Sequence, residues 1–298
     1  MSEFGRLLTA MVTPFAPDGA VDYQAAQRLA LALLDSGSEG LVVAGTTGES
    51  PTVSHEEKLR LFTEVKSAVG DRGAVIANTG TNNTAESIEL TRETERTGVD
   101  AVIMVTPYYN KPTQEGLARH FEAIAAATSL PCILYNVPSR TSVNMTAETT
   151  VRLSAVENIV GIKEASGDLG QIARIVEGAA EGFRVWSGAD EDTLPLLGVG
   201  GYGVISVVAH LVGRQVHEMI DNAVAGRVQE AARTHRRLLP LVQAIFLVTN
   251  PIPVKYALRQ LGFPVGGVRL PLCDPDEAIG EQIMAEVRRA RIDLPVAV

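Results

Sequence analysis

The chain contains CILYN at 132–136 and IVGIKE at 159–164, two short and largely apolar runs without the alternation of a half-exposed strand. Six further runs of this kind are LLTAMV (7–12), GLVVAG (40–45), AVIAN (74–78), AVIMVT (101–106), RVWSG (184–188) and GVISVV (203–208). Strands that are apolar on both faces are typical of parallel sheets covered by helices. The runs therefore predict eight parallel strands.

Helical patterns alternate with these strands. One of them, DYQAAQRLALALLDSG, ends at Gly37, and another begins with a capping box formed by Ser54 and Glu57. Eight such units through about residue 225 predict a (β/α)8 TIM barrel. A doubly wound open sheet is the alternative, because alternation alone does not prove closure. Only helical patterns follow Gly226, so we expect an α/β fold with a barrel at 1–225 and a C-terminal helical domain at 226–298.

The composition excludes several classes of protein. The 298 residues are 46% hydrophobic and 20% charged, as in folded globular proteins, and the net charge of −9 makes nucleic acid an unexpected partner. No apolar run approaches the length of a membrane span of about 18 residues, and the N-terminus lacks the apolar segment of a signal peptide. The two cysteines, Cys132 and Cys273, form no disulfide framework, which is typical of a cytoplasmic protein.

Polar and aromatic residues follow the ends of several predicted strands. In a barrel, functional groups lie at the C-terminal ends of the strands and in the loops after them. The groups in question are Gly45–Glu49, Tyr108–Lys111, Tyr135 with Asn136, Lys163 with Glu164, and Ser187 with Gly188. The sequence therefore predicts a site on this side of the barrel.

Lys163 ends an apolar run, so its amine should point into the barrel. A lysine with the ordinary pKa of about 10.4 is neutral in fewer than about one molecule in a thousand at pH 7, and burial lowers that pKa. A decrease of about three pKa units would cost roughly 4 kcal/mol of folding stability and give a nucleophile that forms a Schiff base with a carbonyl. The alternative is an ion pair between Lys163 and Glu164 or another carboxylate in the barrel wall.

Other residues at the strand ends have a functional and a structural interpretation. Tyr135 could transfer protons near an imine, or be a packed tyrosine. The hydroxyls and backbone N–H groups of Thr46 and Thr47, between two glycines, could hold a carboxylate or form a plain turn. Arg140 could bind a carboxylate through two parallel hydrogen bonds, or be a surface arginine.

Several familiar motifs do not fit their usual sites. GVGGYG at 198–203 precedes a strand instead of following one, so it does not predict a dinucleotide site, and GTTGES lacks the lysine of a P-loop. The five histidines show no metal-ligand spacing on one face, so no metal site is predicted.

A set of motifs, in order along nearly the whole chain, resembles the dihydrodipicolinate synthase family within the N-acetylneuraminate lyase superfamily. The motifs are GTTGES (45–50), VTPYYNKP (105–112), YNVPSRT (135–141), GIKEASGD (161–168), SGAD (187–190), GVISV (203–207) and TNPIPVK (249–255). The family folds as a barrel followed by C-terminal helices, which agrees with the fold expected from the apolar runs.

The resemblance implies a Schiff-base reaction that belongs to lysine and diaminopimelate biosynthesis. Lys163 would form an imine with pyruvate, which condenses with L-aspartate 4-semialdehyde to give 4-hydroxy-tetrahydrodipicolinate. Tyr135 and Thr46 would relay protons, together with Tyr109 from a neighbouring subunit. The route needs no metal or organic cofactor. The shared tyrosine implies at least a dimer, and the family is usually tetrameric, as a dimer of dimers.

The same resemblance implies a set of substrate-binding residues. Thr47 would hold the pyruvate carboxylate, Arg140 would receive the carboxylate of the semialdehyde, and Gly188 and Ile205 would line the pocket. Within the superfamily the second substrate varies. The alternative is therefore a pyruvate-dependent aldolase or lyase of the same superfamily, acting on 4-hydroxy-2-oxoglutarate, a 2-keto-3-deoxy sugar acid or sialic acid. Arg140 favours a short substrate that carries its own carboxylate.

The family's regulatory lysine pocket, at a dimer interface, is also matched in part. The matching residues are Ser50, His55, Asn82, Glu86 and Tyr108. Lys58 stands where inhibitable members commonly carry a histidine, and Pro51 replaces a smaller residue. We therefore expect weak or absent inhibition by lysine.

Overall fold

Eight short strands form the centre of the fold. The computed structural model describes residues 4–295. The strands are β1 (Leu7–Ala10), β2 (Gly40–Val43), β3 (Ala74–Asn78), β4 (Ala101–Val105), β5 (Cys132–Asn136), β6 (Ile159–Glu164), β7 (Arg184–Ser187) and β8 (Gly203–Ser206). They form a closed barrel in chain order. The predicted TIM barrel is therefore confirmed, and the open-sheet alternative is wrong.

Helices separate the strands and continue after the last one. They are α1 (Tyr23–Asp35), α2 (His55–Val69), α3 (Thr84–Thr94), α4 (Gln114–Ala125), α5 (Pro138–Thr141), α6 (Ala147–Ser154), α7 (Leu169–Gly178), α8 (Thr193–Gly198), α9 (Ala209–Val224), α10 (Val228–Ile245), α11 (Ile252–Gln260) and α12 (Glu277–Arg289). The presence of α10 to α12 after the barrel agrees with the helical C-terminal segment expected from the sequence. The boundary between residues 225 and 226 stays a prediction.

Side-chain caps set the beginnings of several helices. The predicted capping box of α2 is confirmed, because Ser54 Oγ accepts from the Glu57 N–H and the Glu57 carboxylate accepts from the Ser54 N–H. Asp168 caps α7 by accepting from the Gln171 N–H at 2.9 Å. These bonds satisfy N–H groups that have no partner within the helix.

The chain divides into two compact units. One comprises Met1–Val75 and Ser206–Val298, and the other comprises Ile76–Ile205. In the second unit, Leu134 of β5 and Ile162 of β6 belong to a buried apolar cluster that includes Phe121 of α4. Because side chains alternate along a strand, Tyr135 and Lys163 point to the opposite face of the same two strands. The apolar cluster thus directs these two polar side chains away from the helices.

Candidate active site

Lys163 and Tyr135 lie side by side in the unit Ile76–Ile205. They are register partners on β6 and β5, and the Lys163 Nζ lies 4.4 Å from the centroid of the Tyr135 ring. Lys163 is 5% exposed and Tyr135 is 7% exposed. Within residues 4–295, Lys163 takes part in no ion pair, so the alternative of a carboxylate partner is not observed. The arrangement places a buried primary amine next to a phenol.

Glu164, the neighbour of Lys163 in sequence, belongs to the other face of β6. Its carboxylate accepts hydrogen bonds from the side chain of Asn136 at 3.1 Å and from the N–H of Ser166 at 2.7 Å. Burial raises the pKa of Glu164, and the hydrogen bonds from Asn136, Ser166 and Gln171 oppose that increase. The Glu164 side chain therefore accepts hydrogen bonds from neighbouring residues of the barrel wall and forms no ion pair with Lys163.

Gly188, just after β7, lies against Lys163. Its N–H donates to the carbonyl of Glu164 at 2.7 Å. A Cβ at this position would lie 2.6 Å from the Cβ of Ala165 and 3.3 Å from the Cε of Lys163. The absence of a side chain at Gly188 therefore leaves room for the lysine methylenes. Ile205, the other predicted lining residue, is buried in β8.

The Gly188→Ala variant tests this close packing. The new methyl group would overlap with Ala165, whose Cβ is fixed to the backbone, so we expect a loss of about 1–3 kcal/mol in the free energy of unfolding. Displacement of the Lys163 methylenes should also slow the reaction of its amine with a carbonyl probe. Chemical denaturation and hydride trapping measure the two effects, and Gly198→Ala, which meets no atom within 4 Å, is the control. An unchanged trapping rate would contradict the packing role.

Thr46 and Thr47 lie in the other unit, in the turn after β2. The Glu49 N–H donates to the Thr46 carbonyl at 3.1 Å, which closes the turn. Thr47 is 2% exposed, and its Oγ1 accepts a hydrogen bond from Asn250 Nδ2 at 2.9 Å. Because this bond uses a lone pair of Oγ1, the hydroxyl proton of Thr47 remains a donor. Asn250 lies in the quoted TNPIPVK motif, yet nothing in the sequence indicates that it contacts Thr47.

A buried ion pair supports the same turn and was not predicted. Lys255 Nζ donates to Glu49 Oε1 at 2.8 Å and to the Thr13 carbonyl at 2.9 Å, and both charged side chains are 1% exposed. Burial lowers the pKa of Lys255 to about 8, and the charge of Glu49 opposes the decrease. The Arg269 N–H donates to the other oxygen of Glu49 at 2.9 Å. The only sequence signal is a lysine on the apolar side of α11.

The loop after β4 projects Tyr109 outward. Tyr109 has a left-handed backbone (φ 74°), and its side chain is 90% exposed. Asn82 Nδ2 donates to the Tyr108 carbonyl at 3.1 Å, and Asn110 Nδ2 donates to the Asn82 carbonyl at 2.9 Å. Burial and the negative charge of Glu86 raise the pKa of Tyr108. Three residues of the predicted lysine pocket, Asn82, Glu86 and Tyr108, therefore lie together, while Ser50 and His55 belong to the other unit.

Arg140 is exposed on the short helix α5. The Thr141 hydroxyl donates to the carbonyls of Val137 at 3.2 Å and Val143 at 2.9 Å, and Ser142 has a left-handed backbone (φ 59°). These contacts give the segment a compact, turned conformation that presents the Arg140 side chain.

Neither a metal cluster nor a membrane-spanning helix occurs in the part of the chain that the structure describes. Among residues 4–295, no group of three or more His, Cys, Asp and Glu side chains could hold a metal ion. None of the helices in this range is long and apolar enough to cross a membrane.

The chain is similar to known proteins over nearly its whole length. A family model described as the Dihydrodipicolinate synthetase family matches residues 3–290. The chain is 60% identical over 296 residues to the 4-hydroxy-tetrahydrodipicolinate synthase of Dehalococcoides mccartyi strain CBDB1, a match that covers 99% of this chain and 100% of that protein.

Solved structures agree with this match. The dihydrodipicolinate synthase of Bacillus anthracis superposes with a TM-score of 0.95 at 45% identity, covering 98% of this chain and 100% of that one. The enzyme of Cyanidioschyzon merolae, solved with lysine bound, superposes with a TM-score of 0.93 at 48% identity, covering 95% and 96% of the two chains. The assignment made from the motifs is confirmed: this chain belongs to the dihydrodipicolinate synthetase family.

Proposed function

We propose that the protein condenses pyruvate with L-aspartate 4-semialdehyde and releases 4-hydroxy-tetrahydrodipicolinate and water. The observation that carries this proposal is the buried amine of Lys163, next to Tyr135 and without a carboxylate partner among the described residues. A buried amine that no carboxylate holds is suited to attack a carbonyl. Relatives at 60% identity carry the name of this activity.

The proposed reaction regenerates the free enzyme. The amine of Lys163 adds to the keto carbon of pyruvate, and loss of water from the carbinolamine gives an iminium. Loss of a proton from the pyruvate methyl group gives an enamine, whose carbon attacks the aldehyde carbon, and the aldehyde oxygen takes a proton. The amino group of the second substrate then attacks the iminium carbon, closes the ring and releases the amine of Lys163.

Proton transfer in this scheme falls to the hydroxyl groups. Tyr135 accepts and donates protons at the carbinolamine, and Thr46 links it to Tyr109 from a neighbouring copy. The exposed, outward-pointing side chain of Tyr109 supports its donation to another subunit. The enzyme would therefore work as a homo-oligomer, a tetramer built as a dimer of dimers. No metal or organic cofactor takes part in these steps.

Two residues would bind the carboxylates of the two substrates. Thr47, whose oxygen already accepts from Asn250, would donate its hydroxyl proton to the pyruvate carboxylate. Arg140 would bind the carboxylate of the semialdehyde through two parallel hydrogen bonds. Gly188 and Ile205 would line the pocket, and the close approach of Gly188 to Lys163 supports the first of these roles.

Borohydride reduction with pyruvate tests the nucleophile. We expect a reduced pyruvate adduct on the peptide that carries Lys163, and labelling of a different lysine would overturn the mechanism. The second substrate is tested with Arg140→Ala in a coupled assay. This variant should lose at least about tenfold in kcat/KM for the semialdehyde and much less for aldehydes without a carboxylate. Arg152→Ala, which removes a surface arginine bound to Glu115 and Glu122, is the matched control.

Inhibition by lysine is expected to be weak. Lys58 is buried, and an ammonium facing a cationic ligand repels it by roughly 1–4 kcal/mol at 4 Å. At 1 mM L-lysine, initial rates should stay within about twofold of the uninhibited rate, and Lys58→His should increase the sensitivity. Inhibition of the unmodified enzyme at sub-millimolar lysine would overturn this expectation.

We also assign the enzyme to the cytoplasm, without nucleic acid as a partner. The assignment is supported by two free cysteines, buried Cys132 and exposed Cys273, and by the net charge of −9.

A further inference from the structure

A buried polar network lies on the outer face of β5 and β6, on the side opposite to Lys163. At its centre the Glu164 carboxylate, 2% exposed, accepts from Asn136 Nδ2, from the Ser166 N–H and from Gln171 Nε2 at 3.3 Å. Within the described range no cation forms an ion pair with it. A buried carboxylate costs free energy even when it is hydrogen-bonded, so an apolar residue would be the simpler solution for packing alone.

The carboxylate determines which way two neighbouring amides point. An ionised carboxylate only accepts hydrogen bonds, so Asn136 and Gln171 must turn their NH2 groups toward it. Their carbonyl oxygens then face away from it. Asn136 Oδ1 accepts from the Met145 N–H at 3.0 Å, and Gln171 Oε1 accepts from Asn144 Nδ2 at 2.8 Å. One acceptor-only group thus sets the direction of hydrogen bonds that reach residues 144 and 145.

These bonds hold the segment that carries Arg140. Asn136 is the last residue of β5, and Asn144 and Met145 follow the short helix α5. Asn136 Nδ2 also donates to Asn144 Oδ1 at 2.8 Å, so the side chain of the residue before the segment is bonded to the residue after it. Gln171 pairs with Asn144 through two hydrogen bonds, at 2.8 and 3.2 Å. The exposed Arg140 side chain therefore projects from a loop whose two ends are joined.

We propose that Glu164 and Gln171 are positioning residues, which fix the loop of Arg140 and thereby set the affinity for the carboxylate of the second substrate. The inference rests on the proposed function, in which Arg140 binds that carboxylate. Neighbouring residues of β6 then have different roles. Lys163 reacts with pyruvate on one face of the strand, and Glu164, on the other face, fixes the loop whose Arg140 binds the second substrate.

Two variants test the network at a distance from Lys163. Gln171→Met keeps the side-chain size and removes the bridge between Glu164 and Asn144, and Asn144→Ala removes the same bridge from an exposed position if the first variant does not fold. We expect kcat/KM for the semialdehyde to fall at least about tenfold. The rate of pyruvate trapping by borohydride should stay within about twofold, because the imine-forming amine is untouched.

Ser154→Ala is the matched control in the same unit. Ser154 Oγ accepts from the Ala180 N–H and donates to the Val151 carbonyl in two partly buried hydrogen bonds outside the loop of Arg140. Their removal should lower stability while leaving the ratio of the two readouts unchanged. Equal losses for both substrates in Gln171→Met, or no loss for either, would overturn the positioning role. If the unmodified enzyme forms no pyruvate adduct at Lys163, it is the proposed function that fails.

Discussion

Replacing Lys163 with methionine should abolish turnover while leaving the fold at least as stable. Methionine has a similar length and no nucleophilic nitrogen, so we expect a decrease in kcat of at least about a thousandfold. The amine is buried and has no ion-pair partner among the described residues, so its removal leaves no buried counter-charge behind. Such a trade between activity and stability is typical of catalytic groups in unfavourable surroundings.

Steady-state kinetics and thermal unfolding measure the two parts of this prediction. The variant should take up no label when pyruvate and borohydride are added together. Lys66→Met, which alters a lysine at the C-terminal end of α2, is the control and should label and turn over normally. Residual activity above about one thousandth of the original rate would contradict the assignment of Lys163 as the nucleophile. A fall in the unfolding temperature would contradict the prediction that its buried amine does not stabilise the fold.

The largest expected loss of stability comes from Lys255→Met. The substitution leaves the carboxylate of Glu49 buried without its cation, which typically costs about 3–5 kcal/mol in the free energy of unfolding. Arg72→Met, which breaks an exposed ion pair with Asp35, should cost no more than about 1 kcal/mol. Denaturant titrations of the two variants compare a buried pair with a surface pair in the same unit. Similar losses of unfolding free energy in Lys255→Met and Arg72→Met would contradict the prediction that the buried ion pair matters more for stability than the exposed one.

The same lysine gives the stability a pH dependence of known sign. In the folded chain the pKa of Lys255 is about 8, lowered from 10.5 by burial. Between these values the unfolded chain binds the additional proton. The contribution of Lys255 to stability therefore increases as the pH rises from about 8 to 10.5 and is lost as the pH falls from 10.5 to about 8. The difference in unfolding free energy between the original enzyme and Lys255→Met should therefore widen over this window. A constant difference would mean that the pKa is not lowered.

The strands were predictable because burial on both faces leaves an uninterrupted apolar run. The capping box of α2 was predictable because Ser54 and Glu57 are only three residues apart. Helix α9 was expected only as the last of the eight strand–helix units through about residue 225. It has no distinct start in the sequence, because apolar residues continue from β8 into it and His210 is the one polar residue between Val207 and Val212. The eight-residue helix α6, rich in threonine, has too short a pattern to stand out from a loop.

The contacts of the site also divide into those that the sequence predicts and those that it does not. The adjacency of Lys163 and Tyr135 could be predicted because both stand at the ends of neighbouring strands, where functional groups of a barrel lie. Their catalytic roles stay a prediction. The ion pair of Lys163 with Glu164 could have been excluded, because consecutive residues of a strand face opposite sides. The bonds from Asn250 to Thr47 and from Lys255 to Glu49 join residues 203 and 206 positions apart, and no periodic pattern encodes such pairs.

That separation also bears on how the protein is made. A ribosome adds roughly 5–20 residues per second, so Lys255 emerges some 10–40 s after Glu49. Until then the Glu49 carboxylate of the nascent chain lacks the cation that it contacts in the folded protein. A message truncated before this codon would yield a polypeptide with every barrel strand and yet without its internal counter-ion. The buried ion pair in the first quarter of the chain can therefore form only after the last quarter has been partly synthesised.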